Sequence, residues 1–224
     1  MDGIKDDKNK IIMLWSPRAA CSVSMKMMFE HMGIENYKRY DWVHDYRIKE
    51  FYKTYGRPNP SSLHKYFVFQ VVVNPYQRAV SSFHHYCSSR LGIDYKDLTF
   101  YQYLVNILHN RLQSRSARFH CRPQLQESER RYVDFFFKIE KGQEELDKHV
   151  NEPLGLKLKI KDKTSSHHAD RAEYLDFIGY RPFRDIGRLP KSYRCFYDDK
   201  IRRLVEHIYR KDITHLKYTF EELA

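Results

Sequence analysis

The chain has 224 residues, of which 42% are hydrophobic and 15% aromatic, a composition that excludes an intrinsically disordered chain. Its 40 Lys and Arg against 29 Asp and Glu give a formal charge of +11, which favours polyanionic partners without choosing among nucleic acid, acidic glycan and phosphorylated nucleotide. No apolar run approaches the ~20 residues of a membrane span, no signal-peptide core follows Met1, and four widely spaced cysteines make no C-x-x-C pair, so the chain reads as cytoplasmic with reduced thiols.

Residues 1–10 read as a charged N-terminal tail, and 11–224 as a single domain. Ile11–Trp15 is an apolar strand that runs into Ser16-Pro17-Arg18-Ala19-Ala20-Cys21-Ser22 and then into a helix from about Ser22 to Met32, ended by Gly33. Residues 41–65 are aromatic and polar, with a loop at 56–62 marked by Gly, Pro, Asn and Ser. A second strand, 66–73, is almost continuously apolar, as expected where both faces are covered. It leads into Asn74-Pro75-Tyr76-Gln77-Arg78 and a helix over 76–90. A further helix is predicted over 99–112, then a basic, irregular stretch from Ser114 to Arg131. A third strand spans 132–139 and a helix about 143–150. The polar region 153–191 has few signals, and a mobile part is expected near 164–168. A last helix, about 198–211, carries Ile201, Leu204, Val205 and Ile208 on one face. Strands alternating with helices predict an α/β protein, a three-layer α/β/α arrangement around a central parallel sheet. In such sheets ligands bind off the carboxyl ends of the strands, where both turns sit.

Both turns carry anion chemistry. A helix N-terminus offers unpaired N–H groups and a partial positive charge, so phosphate or sulfate binds there readily. The first turn adds Arg18 and Ser22, the second Arg78 and Ser81. The first is not the G-x-x-x-x-G-K-[ST] nucleotide loop, since it has no glycine before Gly33. Two such turns in one chain point to a ligand with two separate anionic groups.

In this pairing the chain resembles sulfotransferases that use 3′-phosphoadenosine 5′-phosphosulfate (PAPS), especially the carbohydrate sulfotransferases. Their Pro-Lys-x-Gly-Cys-Thr/Ser stands here as Pro17-Arg18-Ala19-Ala20-Cys21-Ser22. Their Val-Arg-Asp/Asn-Pro-(Phe/Tyr)-x-Arg-x-x-Ser stands as Val72-Val73-Asn74-Pro75-Tyr76-Gln77-Arg78-Ala79-Val80-Ser81. Looser likeness extends through Phe135–Glu140 and Phe196–Tyr218; residues 41–62 and 155–190 match no part of it. The resemblance implies a P-loop-like sulfotransferase fold and PAPS as co-substrate, with adenosine 3′,5′-bisphosphate as product. Pro17, Arg18, Ala19, Ala20, Cys21, Ser22, Val23 and Ser24 would hold the 5′-phosphosulfate, and Arg78 with Ser81 the 3′-phosphate. Two positions depart from the pattern: Arg18 replaces the loop lysine, and Val73 the arginine of the second motif. Arginine keeps the charge but is a poor proton donor.

The implied reaction moves a sulfuryl group to a hydroxyl of a glycan or other acceptor, with Arg18 stabilising the departing phosphate. Its general base is expected to be His120, in Phe119-His120-Cys121-Arg122-Pro123-Gln124, which resembles a His-x-x-Pro-Gln stretch of the carbohydrate group. His64, just before the second strand, is the runner-up. The basic run Arg111–Arg131 suits an acidic acceptor. His84-His85 and His167-His168 lack partners at ligand spacing, so no metal is expected. Open beside this reading are an inactive or kinase-like nucleotide-binding relative and a basic nucleic-acid-binding protein, although no nucleic-acid module is visible.

Overall fold

Five successive apolar residues at 11–15 and six nearly apolar ones at 67–72 leave no polar face to turn to solvent, and both segments become interior strands. The computed structural model describes residues 2–88, 95–161, 172–186 and 188–222. Along it run β1 (Gly3–Asp6), β2 (Ile11–Trp15), α1 (Cys21–His31), α2 (residues 43–55, with a π turn at Arg47–Phe51), β3 (Phe67–Val72), α3 (Pro75–Ser88), α4 (Phe100–Leu108), α5 (Arg115–Cys121), β4 (Phe135–Lys138), α6 (residues 142–154), α7 (Asp199–Ile208) and α8 (Arg210–Leu216). The chain is mixed α/β. Its four-stranded sheet has the order β1-β2-β3-β4, with β2, β3 and β4 parallel and β1 antiparallel to β2.

The segment read as a charged tail thus supplies an edge strand. Asp6 makes the reversal: its Oδ1 accepts from the Lys8 and Asn9 amides at 2.9 and 3.2 Å. Gly3 is required in this pairing, because a Cβ there would lie 2.7 Å from Leu14 Cδ2 and 2.8 Å from the Met13 carbonyl.

The chain forms two compact units, each discontinuous in sequence. The first comprises Met1–Val73 and Gln124–Ser165, the second Asn74–Pro123 and Ser166–Ala224. The first unit holds the sheet. On one face Ile11, Met13, Trp15, Phe69, Val71 and Phe137 pack with Met25, Met28 and Phe29 of α1, and the Phe29 ring lies 5.0–5.6 Å from Phe51, Tyr46 and Tyr37. On the other, Ile12, Leu14 and Val68 pack with Leu63. Period-two alternation along each strand sends its side chains to the two faces in turn.

The second unit is helical, with a core of Phe83, Phe100, Tyr103, Phe196, Ile201 and Tyr209. Its helices are capped locally: the Thr99 hydroxyl accepts from Gln102 N at 3.1 Å, the Gln102 side chain from Thr99 N at 3.0 Å, and Asp198 from Ile201 N at 2.7 Å. The same device orders part of the stretch read as irregular. Ser114 Oγ accepts from Ala117 N at 2.9 Å and starts α5, whose Ala117 and Cys121 are buried. The final predicted helix breaks at Tyr209 into α7 and α8. The stretch 164–168 and the last residues of the helix read over 76–90 lie outside the described residues.

Candidate functional site

Trp15 of β2 pairs in register with Val71 of β3, so the two strands end side by side, and the turn 16–20 leaves from that carboxyl edge into α1. Two residues of the turn, Arg18 and Ala20, have φ of 64° and 52°. This left-handed region costs an L-residue about 1–2 kcal/mol, and glycine ordinarily fills it. Such strain persists only where the surroundings over-determine it, and it gathers at ligand-binding turns. Ala20 is the N-cap of α1 and has no side chain to cap with, and the first turn holds no carboxylate. The amides of Cys21, Ser22 and Val23 therefore begin the helix with their partial positive charge unneutralised by the helix itself.

Around this terminus the structure gathers groups from a distant segment. His44, near the start of α2, places Nε2 3.4 Å from both Cys21 Sγ and Ser22 Oγ, and its ring lies 4.7 Å from the half-exposed Trp42. Burial pushes the Cys21 thiol above its ordinary range, against the opposing pull of Arg18 and Arg47. The thiol is thus neutral, not a thiolate. Arg47 is buried beside the rings of Trp15 and Tyr52, at 5.3 and 5.4 Å, and its Nη1 reaches Asp2 Oδ1 at 3.4 Å. Two guanidinium groups, an imidazole and a hydroxyl thus accompany the helix terminus, a set suited to an oxyanion. Neither His44 nor Arg47 was expected, since both fall in the unmatched stretch 41–62 and no spacing rule links them to residues 21–22.

The other serines near this turn are engaged in the fold. Ser24 is buried with Oγ donating to Ala20 O at 3.0 Å. Ser16 Oγ donates to Gln124 O at 3.0 Å, and Gln70 Nε2 donates to the same carbonyl at 3.0 Å. Gln124, fully buried, donates to Val73 O at 2.8 Å and accepts from Val73 N at 3.0 Å. Gln124, of the Pro123-Gln124 pair, therefore has a structural task, closing the backbone at the end of β3. Pro17 and Ala19 are also buried, and Val23 is half-buried.

In the second unit Arg78 is interior, at 1% exposure. Its Nη2 donates to Arg122 O at 2.6 Å and His120 O at 3.4 Å, and its guanidinium carbon lies 5.8 Å from the Tyr209 ring. Ser81 is buried, and its neighbour Ser82 donates to His120 O at 3.0 Å. Arg78 and His120 are thus brought together, through the backbone of α5. His120 Nδ1 lies 2.7 Å from Ser116 O; a carbonyl only accepts, so this nitrogen carries the proton and Nε2 is the basic one in the neutral ring. The His120 and His85 rings are 4.4 Å apart.

His64 is not brought to the turn. It is exposed on the single turn Pro60–Lys65, before the N-terminal end of β3, and the register Ile11↔Phe67 puts that end level with the start of β2. Ser16 leaves from the opposite edge of the same parallel pair, roughly 15–20 Å away along the strands. A parallel register decides this separation.

All four cysteines are free thiols. Among the described residues no three His, Cys, Asp or Glu side chains converge as a metal site, and no helix is long and apolar enough to cross a membrane. The chain matches no family model, no curated protein and no solved structure.

Proposed function

We propose that the chain is a PAPS-dependent sulfotransferase, of the P-loop-like three-layer α/β/α kind, acting on a hydroxyl of a glycan or other acceptor. The observation that carries this reading is the turn 16–22: two non-glycine residues in the left-handed region, ahead of an uncapped helix with no acidic residue in its first turn, at the carboxyl edge of a parallel strand pair. That turn takes the 5′-phosphosulfate. Arg78 and Ser81 are assigned to the 3′-phosphate, although Arg78 is also tied to two backbone carbonyls.

In the transfer, the acceptor oxygen attacks sulfur, the bond from sulfur to the bridging oxygen breaks, and the electron pair leaves with adenosine 3′,5′-bisphosphate. Charge grows on that phosphate, and Arg18 with the α1 amides opposes it, the preorganised electrostatic term that dominates such reactions. The acceptor's proton goes to His120 Nε2, the unprotonated nitrogen in the neutral ring.

A thermal-shift panel tests the reading. Adenosine 3′,5′-bisphosphate should stabilise the chain where ATP–Mg²⁺ and oligonucleotide do not. Arg18→Ala should abolish both that shift and sulfuryl transfer while leaving far-UV circular dichroism unchanged. A preference for ATP–Mg²⁺ or DNA, or full turnover by Arg18→Ala, overturns it.

A further inference from the structure

The second unit carries a cavity of about 330 Å³, open to solvent on one side and within the size range of small-molecule sites. Its walls come from the end of α4, the start and end of α5 and the last turn of α7. Ile107, Leu108, Leu112 and Ile208 make it apolar, and Arg118 and Arg122 are the two permanent charges on its lining. Cys121, also on the wall, is pushed up by burial to about 11, so it is an uncharged thiol. Among the described residues no carboxylate lines the cavity, and His207 is the remaining titratable side chain on its wall.

The two guanidinium groups are not equivalent. Arg118 Nη1 donates to Leu112 O at 3.1 Å, which pins it to the wall. Arg122 stacks 4.7 Å over the Phe119 ring, and its Nε is buried with no hydrogen-bond partner among the described residues. With Arg118 pinned, Arg122 is the second cation on the lining and the one to meet an anion in the cavity. The wall backbone is tied into the fold: Arg78 Nη2 donates to the Arg122 carbonyl at 2.6 Å and Tyr209 OH to the Cys121 carbonyl at 2.8 Å.

We propose that this cavity binds a small amphiphile, an apolar hydrocarbon body carrying one carboxylate that meets Arg122. The planar guanidinium fork matches a carboxylate, and the aliphatic walls match a saturated chain. Two guanidinium groups on the lining, one of them already held by a backbone carbonyl, argue for a single negative charge. The proposal lies wholly within the second unit and does not rest on the sulfotransferase reading.

Titration calorimetry of the full chain with octanoate, below its micellar concentration, and with 1-octanol tests it. Octanoate should bind once per chain and at least tenfold tighter than octanol. Arg122→Gln should bring octanoate down to the affinity of octanol. Leu108→Glu, at an exposed rim position where folding is not at stake, should weaken octanoate at least tenfold by placing a like charge at the mouth. No octanoate binding at millimolar concentration, equal binding of acid and alcohol, a stoichiometry above one, or indifference to both substitutions overturns it.

Discussion

Ala20 shows what one residue can conceal. A glycine at that position would have marked the turn as an anion loop by pattern; alanine adopts the same left-handed conformation, φ 52°, and leaves no such mark. The strain is therefore stored in the native state and is measurable. Ala20→Gly should stabilise the chain by about 1 kcal/mol, since relief of the left-handed Cβ clash outweighs the added freedom of the unfolded chain. That is a rise of roughly 2–4 °C in Tm for a chain of this size. A fall in Tm would show that the turn is not strained there. His44 was missed for a related reason: a histidine after Trp42-Val43 has no local signature, and its meeting with Cys21 and Ser22 spans more than 20 residues of chain.

At the scale of elements, apolar runs and caps were readable. The runs 11–15 and 67–72 became strands, and Met25, Met28 and Phe29 became the buried stripe of α1. What could not be read was α5, whose seven residues are too few for a clear period, and β1, whose short charged sequence becomes a strand only because β2 is there to pair with it. The end of β3 depends on a side chain from elsewhere. Gln124 supplies both partners to Val73, acting as one residue of a missing neighbouring strand. Gln124→Ala leaves a buried N–H and a buried C=O of Val73 without those bonds, each at ~1–3 kcal/mol. Urea unfolding should show a loss of about 2–4 kcal/mol with an unchanged m-value. A loss under 0.5 kcal/mol would mean that Val73 finds other partners.

At the scale of the whole molecule, stability should fall as pH drops, in two stages. His31 is held below its ordinary value of 6.5 by burial, which outweighs the Asp6 carboxylate 3.6 Å away and is aided by Lys8. Above 6.5 the ring is neutral in folded and unfolded chains alike; below it the unfolded chain takes up the proton first, and stability declines. Asp147 is held below its ordinary 3.8 by hydrogen bonds from Asn151 and Gln143, and Asp7 by those from Lys5 and Tyr66. Their contributions are present above 3.8 and disappear as pH falls through the folded values. Thermal melts from pH 8 to 3 should show both limbs, with His31→Gln flattening only the first; an unchanged first limb in that variant would exclude His31.

Composition and periodicity alone determined the α/β class, the two strand-to-helix turns and the charge that favours anionic ligands, because each is written in contiguous residues. Tertiary structure alone decided that His44 and Arg47 join the first turn, that Arg78 is interior, that Gln124 closes β3, and that His64 lies at the far edge of the sheet. Those outcomes follow from strand register and from contacts between segments far apart in the chain, and no local pattern of side chains specifies either.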